Sequence, residues 1–344
     1  MQQTKSRRCD GAPWPYDAGA AARPASRLSR DRWGRRYNRR LASEPLMQFV
    51  RMTAWAPRQR VVDAASVEAV TALQGAGATV VLLKGPVIAQ WLYGDGDPRW
   101  YNDCDLLLPE AHLDAAGAVL DHLGYTRRPN APDDPALLAD VHSVVWTRSS
   151  DDAAVELHWT LVGLEAPPEQ VWAALSANTP TIIVGGVDML SLGEYGRALH
   201  LALHLAQHGR TSPQPLEDLR RGIARLGFDV WTGARELSAR LSGDSAFGAG
   251  LRACPGGLEL AGRLQLPPAS NYWTLRADGA PRGAVRLRLL SDAAGWRERW
   301  VILREGLSRY REFSGRRSEL KGLPRMRASA SDLIAAFRAL RRSR

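Results

Sequence analysis

The sequence contains few cysteines, and none of them form a pair at metal-binding spacing. Its three cysteines, Cys9, Cys104 and Cys254, lie far apart, and no CxxC motif occurs. Small disulfide-stabilised folds need closely spaced sets of cysteines, and structural zinc sites need paired ones. The cysteine pattern argues against both classes, and it favours a cytoplasmic location with reducing conditions.

Long apolar runs are missing as well. No stretch approaches the roughly 20 consecutive apolar residues that a membrane-spanning helix needs. The first ten residues, MQQTKSRRCD, lack the apolar core of a signal peptide. We therefore expect neither insertion into a membrane nor export.

Several motifs of nucleotide-binding and metal-binding proteins are also absent. Lys84-Gly85 fits neither the P-loop spacing nor the GxGxxG spacing. His200, His204 and His208 recur every four residues, but the glutamate of an HExxH zinc motif is missing. We expect these histidines to lie at the edge of a packed helix. The tryptophans do not alternate with basic residues as in a platform for stacking nucleic-acid bases.

What the sequence does contain is an uneven distribution of charge. The formal net charge of the 344 residues is +10. Residues 1–45 carry 11 basic and 4 acidic residues, residues 281–344 carry 17 and 6, and residues 46–280 carry 18 and 26. Basic ends can bind nucleic acid or other anions. They can equally be solvated arginine-rich tails, and both interpretations stay open.

Composition and periodicity divide the chain into three parts. Residues 1–46 lack hydrophobic periodicity and are predicted to be a disordered basic extension; translation starting at Met47 is an alternative. Residues 47–190 combine short apolar runs with helical patterns, which predicts an α+β domain. Residues 191–344 are predicted to be a mainly helical region with a basic C-terminal tail.

Within these parts the pattern predicts individual elements. In the α+β part we expect helices at 61–74, 86–93, 109–123 and 132–140, strands at 80–83, 103–108 and 125–128, and hairpins at 142–161 and 181–190. Ser191-Leu-Gly-Glu194 has the pattern of a capping box before a helix over 194–208. Further helices are predicted at 214–227, 229–242, 255–264, 294–309 and 331–342.

The stretch from Val80 to Leu108 carries the strongest functional signal. An apolar run ends at Lys84-Gly85, Pro86 opens a helix, and a second apolar run follows Asp103-Cys104-Asp105. Side chains two positions apart on a strand face the same side, so Asp103 and Asp105 present their carboxylates together. The free N–H groups of a helix that begins after a glycine attract anions. The stretch predicts a phosphate-binding turn beside a divalent metal site.

Three further side chains are candidates for this site. Glu156, in the second arm of the hairpin, can supply a third carboxylate for a pair of Mg²⁺ ions, which prefer oxygen ligands. Arg99 can neutralise a phosphate or pair with one of the two aspartates. His158 lies on the same strand face as Glu156, and we expect it to be hydrogen-bonded and partly buried rather than a catalytic base.

As a set, these residues resemble the uncharacterised nucleotidyltransferase family of bacteria, a branch of the nucleotidyltransferase (DNA polymerase β-like) superfamily. The matching pieces are Leu83-Lys84-Gly85, Tyr93, Arg99, Asp103-Cys104-Asp105 and Glu156-Leu157-His158-Trp159. Helix 194–208 and Leu216-Glu217-Asp218-Leu219 are similar to the helical half of the family. The chain departs from the superfamily at Lys84-Gly85, where Gly-Gly or Gly-Ser is usual. It departs from the family at Glu156, where Asp is frequent.

The resemblance implies a fold and a reaction. The fold is α+β, with a nucleotidyltransferase-like mixed sheet, flanking helices and a mainly helical C-terminal region. Asp103, Asp105 and Glu156 would hold two Mg²⁺ ions, or Mn²⁺, and carry out catalysis. Lys84, Gly85 and Arg99 would bind the nucleotide. An NMP would pass from an NTP to an acceptor hydroxyl, and pyrophosphate would leave.

The sequence leaves the acceptor and two other function classes open. The acceptor is a small molecule, a peptide, an RNA or a protein, and the sequence does not select the nucleotide. One competing class is a catalytically silent nucleotide-binding protein or a toxin–antitoxin-type regulator. The other is a nucleic-acid-binding protein that uses its arginine-rich ends.

Overall fold

A computed structural model describes residues 44–94, 97–128 and 142–280, together with single residues between 285 and 300. The chain forms two compact units, residues 1–53 and residues 54–344. The described residues of the first unit, 44–53, are the beginning of the helix Glu44–Gly75, named α1. All of the sheet and the other described helices belong to the second unit. None of the helices in the described ranges has the length and apolar content that a membrane crossing requires.

The centre of the second unit is a five-stranded mixed sheet. Its strands are β1 (Val81–Leu82), β2 (Cys104–Leu107), β3 (Thr126–Arg127), β4 (Ser143–Thr147) and β5 (Ala154–His158). They lie in the order β1-β2-β5-β4-β3. Only β2 and β5 are parallel, and the other neighbouring pairs in this sheet are antiparallel. A separate antiparallel hairpin is formed by β6 (Thr181–Val184) and β7 (Val187–Leu190).

The described helices pack on this sheet and make up most of residues 194–277. A single 3₁₀ turn at Glu110–His112 leads into α3. The α-helices are α1 (Glu44–Gly75), α2 (Pro86–Leu92), α3 (Leu113–His122), α4 (Pro168–Ser176), α5 (Glu194–His208), α6 (Pro213–Arg225), α7 (Phe228–Arg240), α8 (Asp244–Ala253), α9 (Gly257–Arg263) and α10 (Asn271–Ala277). The predicted α+β fold class with a mixed sheet is therefore confirmed.

The two faces of the sheet belong to two different apolar cores. Leu106 of β2 is fully buried in the core that includes α1 residues such as Leu73. Leu107, the next residue, is fully buried in the core that includes Leu199 of α5 and most of the later helices. Because successive strand side chains point to opposite faces, Asp105 shares the face of Leu107. The polar site therefore lies on the face turned toward α5.

Two turns explain why the chain reverses where it does. Gly85 has φ 64° and ψ −117°, a backbone conformation that disfavours other residues, and Pro86 then starts α2 with its fixed φ. Gly185 and Gly186 have φ 56° and 83°, which suits the two-residue turn between β6 and β7. The strands pair from Thr181 with Leu190 to Val184 with Val187, which confirms the predicted hairpin over 181–190.

Some sequence predictions were wrong in detail. Ser191 does not form a capping box, because the N-cap of α5 is Gly193 and the Ser191 hydroxyl donates to the carbonyl of Pro180 instead. Helix α1 begins at Glu44, well before the predicted residue 61. Helices α4, α8 and α10 had no counterpart in the prediction. These three are short, at 9, 10 and 7 residues, and short segments give a weak periodic signal.

Other predictions stay open. The predicted helices at 132–140 and 331–342 and most of 294–309 lie outside the described residues, as do residues 1–43 of the predicted extension. The division into domains at 47–190 and 191–344 stays a prediction. Nearly all of both ranges belongs to the second compact unit.

Candidate active site

Three carboxylates converge on the face of the sheet turned toward α5. Asp103 lies one residue before β2, and Asp105 lies within it. The parallel pairing of β2 with β5 places Asp105 directly opposite Glu156. One oxygen from each of Asp103, Asp105 and Glu156 lies within 4.8 Å of the other two. The structure thus brings together the three residues that the sequence proposed as a metal-binding set.

An ammonium group lies against this set. Lys84 Nζ is 3.1 Å from Asp105 Oδ1 and 3.9 Å from Asp103 Oδ2. Burial lowers the pKa of Lys84, but the carboxylates of Asp105, Asp103 and Glu156 outweigh that effect and raise the pKa above its ordinary value. Lys84 therefore stays charged and provides a fixed positive charge at the carboxylates.

The two aspartates differ in their environment. Asp105 is 1% exposed. Burial raises its pKa, but the Lys84 ammonium and the hydrogen bond with His158 outweigh burial and hold the pKa well below the usual range. Asp103 is more open to water, and burial together with the neighbouring Asp105 raises its pKa to about 6 against the opposing effect of Lys84. The buried aspartate is thus the fully ionised member of the pair at neutral pH.

His158 and Ser143 hold the carboxylates from the hairpin side. His158 Nε2 lies 3.1 Å from Asp105 Oδ1 and 3.7 Å from Glu156 Oε1. The hydroxyl of Ser143, which pairs with His158 across β4 and β5, donates to Glu156 Oε1. His158 is 7% exposed, so the prediction of a buried, hydrogen-bonded histidine is confirmed.

Arg99 pairs with neither of the two aspartates that the sequence offered as partners. The prediction that it pairs with Asp103 or Asp105 is wrong, because its guanidinium group forms a bidentate pair with Asp218 of α6. Arg99 Nη1 also donates to the carbonyl of Gly85 over 3.3 Å. Arg99 is 4% exposed and holds the turn that carries Lys84. Nucleotide binding by Arg99 and by Gly85 stays a prediction.

The Asp218 carboxylate is the centre of a polar joint between α2 and α6. The Tyr93 hydroxyl donates to Asp218 Oδ1 over 2.6 Å, and Gln214 Nε2 donates to the same oxygen over 2.9 Å. Arg221 lies over the Tyr93 ring at 4.0 Å from its centroid. Gln214 belongs to the segment Thr211-Ser-Pro-Gln-Pro, and no local pattern in the sequence indicates that this segment contacts Tyr93.

A cavity of about 190 Å³ opens beside the carboxylates. The sheet side of its polar lining is formed by Lys84, Asp103, His142, Glu156 and His158. Helix α5 adds His200, His204, Gln207 and His208. The sequence correctly placed the three histidines on one stripe. It did not reveal that the stripe faces the carboxylates, because that depends on how α5 packs on the sheet.

The histidine stripe is uncharged at neutral pH. Burial, and next to it the Lys84 ammonium, lowers the pKa of His200 to about 3 and that of His208 to about 4. The same two causes hold the pKa of His204 well below the ordinary value. The rings of His204 and His208 meet edge to face at 4.6 Å between centroids. This part of the lining therefore offers neutral hydrogen-bonding groups.

The residues fit a divalent cation that prefers oxygen ligands. Asp105 Oδ2 is buried and has no hydrogen-bond partner among the described residues, although its companion oxygen has two. A buried, unpartnered carboxylate oxygen is costly unless something binds it. The donor set is carboxylate oxygen throughout, which is the chemistry that Mg²⁺ and Mn²⁺ prefer.

No curated protein matches the chain. Several solved structures are similar to this chain at low sequence identity. One is the crystal structure of ANT(2'')-Ia in complex with adenylyl-2''-tobramycin, whose sequence is 12% identical to this chain. The superposition has a TM-score of 0.38 and covers 52% of this chain and 97% of ANT(2'')-Ia. The lincomycin-bound lincosamide antibiotic adenylyltransferase LnuA is 11% identical with a TM-score of 0.30, over 43% and 88%. An antigenic nucleotidyltransferase-like protein from Paracoccidioides brasiliensis is 14% identical with a TM-score of 0.35, over 62% and 95%.

A sequence profile of a protein family identifies the family to which this chain belongs. The profile described as "Uncharacterised nucleotidyltransferase" matches residues 35–255, which is well over half of the chain. The match includes the Lys84-Gly85 turn, the three carboxylates, the histidine stripe and Asp218. The resemblance stated from the sequence is thereby confirmed, and with it the expectation of a nucleotidyltransferase. The chain belongs to the uncharacterised nucleotidyltransferase family.

Proposed function

We propose that this protein transfers a nucleoside monophosphate from an NTP to an acceptor hydroxyl. The observation that carries the proposal is the convergence of Asp103, Asp105 and Glu156 within 4.8 Å beside a cavity. The acceptor oxygen would form a bond to the α-phosphorus of the NTP. The bond from that phosphorus to the bridging oxygen of the β-phosphate would break, and pyrophosphate would leave.

In this proposal Asp103, Asp105 and Glu156 hold Mg²⁺, with two ions as the arrangement that the family resemblance implies. Bound there, Mg²⁺ would supply positive charge to the triphosphate and to the attacking and leaving oxygens. Support comes from the all-oxygen donor set and from Asp105 Oδ2, which has no hydrogen-bond partner within the part of the chain that the structure describes. The chain itself fixes these carboxylates through strand pairing, Ser143 and His158, so little reorganisation is needed on binding.

Lys84 and Glu156 have separate roles in this scheme. Lys84 carries a permanent charge beside the carboxylates, and the NTP triphosphate would offer its ammonium a second anionic partner. Glu156 is half-buried, lines the cavity, and is hydrogen-bonded through Oε1. We assign to Glu156 the task of accepting the proton from the acceptor hydroxyl as the oxygen attacks, which is general base catalysis.

The experiment uses the full-length chain with each NTP radiolabelled at the α-phosphate, Mg²⁺, and fractions of a cell lysate. We expect covalent transfer of label to one fraction and release of pyrophosphate. Asp103→Asn should reduce transfer by more than about a hundredfold, because a metal ligand is lost. Asp188→Asn, at an exposed position on β7, is the matched control and should transfer as the wild type does. Equal transfer by Asp103→Asn would refute the proposal.

One observation favours a second candidate, a nucleotide-binding regulator without transfer activity. The Lys84 ammonium lies against both aspartates, where it can substitute for a metal ion in neutralising them. Such a protein would bind NTP without transferring label to any fraction. Binding that is retained without added Mg²⁺ and lost in Lys84→Met would favour this candidate over the transferase.

A further inference from the structure

A second set of metal-binding side chains adjoins the three carboxylates. One ring nitrogen from each of His142 and His158 and one carboxylate oxygen of Glu156 lie within 4.8 Å of one another. The set lies at the open end of the β4–β5 hairpin. Ser143 pairs with His158, and the N–H of Trp159 donates to the carbonyl of His142 over 3.2 Å. Backbone pairing thus holds both histidines in place.

His158 has one nitrogen that no described residue satisfies. The ring is 7% exposed, and its Nε2 contacts Asp105. Its Nδ1 is buried and lacks a hydrogen-bond partner among the described residues. A buried polar atom of this kind is normally satisfied by a protein group, water or an ion. With Nε2 against the Asp105 carboxylate, we take Nδ1 as the nitrogen available to a metal ion, since metal-bound imidazoles usually donate their other N–H to a carboxylate that orients them.

The chemistry of this set differs from that of the aspartate pair. Two imidazoles and one carboxylate suit Zn²⁺ and related transition-metal ions, whereas Mg²⁺ prefers oxygen ligands. We propose that His142, Glu156 and His158 bind a divalent transition-metal ion, with Zn²⁺ as the reference ion. The bond lengths of about 2.0–2.2 Å for nitrogen and oxygen ligands require the three donors to move somewhat closer together. The adjoining cavity, which both histidines line, gives their side chains room for that movement.

The two metal sets share Glu156. A Zn²⁺ ion held by the histidine set would therefore compete for the Glu156 carboxylate with the ion proposed for nucleotide transfer. We expect Zn²⁺ to slow transfer even with Mg²⁺ in excess. This consequence rests on the proposed function, but the binding of Zn²⁺ does not, because it needs no nucleotide.

The stripe of His200, His204 and His208 supplies an internal comparison. These histidines line the same cavity, and their rings pair only with one another among the described ring contacts. The rings of His142 and His158 form the separate pair, at 5.4 Å between centroids. Comparing the Zn²⁺ affinity of a stripe variant with that of a His142 variant therefore shows whether Zn²⁺ binds at the proposed site or at any histidine of the cavity.

The test is calorimetric titration of the metal-stripped, full-length protein with Zn²⁺ in the absence of nucleotide. We expect one ion per chain, bound in the presence of excess Mg²⁺. His142→Ala should lower the Zn²⁺ affinity at least about tenfold. His122→Ala, at an exposed position at the end of α3, and His204→Ala, in the stripe, should bind Zn²⁺ as the wild type does. Circular dichroism confirms that each variant is folded.

Several outcomes would overturn the proposal. They are unchanged Zn²⁺ affinity in folded His142→Ala, an equal loss in His204→Ala, or displacement of Zn²⁺ by an equal concentration of Mg²⁺. Cobalt supplies an independent signal, because Co²⁺ in the same site should absorb visible light in a way that His142→Ala abolishes. Failure of the transfer assay leaves this titration unaffected, so the two proposals fail separately.

Discussion

Arg99 and Asp218, which are 119 positions apart in the sequence, form a buried bidentate ion pair. Arg99 Nη2 lies 2.6 Å from Asp218 Oδ2, and Arg99 Nε lies 2.9 Å from Asp218 Oδ1. The two residues are 4% and 1% exposed. Since Arg99 also donates to the carbonyl of Gly85, this pair connects α6 to the turn that carries Lys84. The helical half of the chain thereby helps to fix the carboxylate site.

Replacing Asp218 by Asn should destabilise the protein strongly. The change keeps the size of the side chain but leaves the buried Arg99 guanidinium without a counter-charge, which costs about 3–5 kcal/mol. Urea denaturation measures the free energy of unfolding. The control is Glu217→Gln, whose partners Arg220 and Arg221 lie nearer the surface, and which should cost less than about 1 kcal/mol. Similar losses in the two variants would contradict the importance of the buried pair.

Gly250→Ala should destabilise the contact between α5 and α8. A Cβ at residue 250 would overlap the backbone carbonyl of Ala202 and lie 2.7 Å from its carbon atom. Backbone cannot move aside as a flexible side chain can, so we expect a loss of at least about 2 kcal/mol in the free energy of unfolding. Gly262→Ala is the matched control within α9. Its Cβ meets open space, and alanine there should stabilise the helix by up to about 1 kcal/mol.

Lys84→Met should strengthen binding of Mg²⁺ or Mn²⁺ to the nucleotide-free protein. The ammonium lies 3.1 Å from Asp105 and competes with any cation for the carboxylates. Its removal leaves similar bulk without the charge, and we expect the affinity to rise about tenfold, which corresponds to about 1.4 kcal/mol. A Mn²⁺ titration followed by electron paramagnetic resonance measures this. An unchanged or weaker affinity would show that Lys84 does not compete for this site.

Acid should destabilise the protein through the histidine stripe. The pKa of His200 is about 3 in the folded chain, lowered first by burial and then by Lys84, against about 6.5 in the unfolded chain. Between these values the unfolded chain binds more protons, so the stability present above about pH 6.5 is lost as the pH falls toward 3. The loss should stay below about 1.4 kcal/mol per pH unit for each histidine, because the rings are partly open to water.

Unfolding free energies at pH values from about 7.5 down to 4.5 test this directly. The double variant His200→Gln, His204→Gln should lose less stability over that range than the wild type. His112→Gln, at an exposed position, should follow the wild-type curve. If the unfolding free energy of the double variant falls with pH as steeply as that of the wild type, groups other than these two histidines cause the acid sensitivity.

The sequence predicted the carboxylate set for reasons that are local. Asp103 and Asp105 are two positions apart on an apolar strand, so their shared face follows from strand geometry alone. Glu156 lies on a strand with the same alternation, and the structure pairs it with Asp105. Helix α5 was predicted with its observed bounds, because its apolar residues recur at helical spacing over four turns.

The missed features depend on contacts between distant segments. The capping box was wrong because Ser191 has an alternative acceptor in the carbonyl of Pro180, which the β6–β7 hairpin brings near. Asp218 is one acid among many in the sequence, and nothing local marks it as the partner of Arg99. The direction of the histidine stripe is likewise fixed by the packing of Leu199, Ala202 and Ala206 into the core.

Local sequence pattern was enough to predict the three carboxylates of the candidate site, because strand alternation and turn glycines are properties of neighbouring residues. Three relationships instead depend on how distant segments pack: Lys84 lies against the aspartates, Asp218 pairs with Arg99, and the histidines of α5 and of the β4–β5 hairpin line the same cavity. These relationships follow from the packing of α5 against one face of the sheet and of α6 against α2 and α5. The physical reason is that burial, charge pairing and metal-ligand geometry arise between segments that the chain order keeps apart.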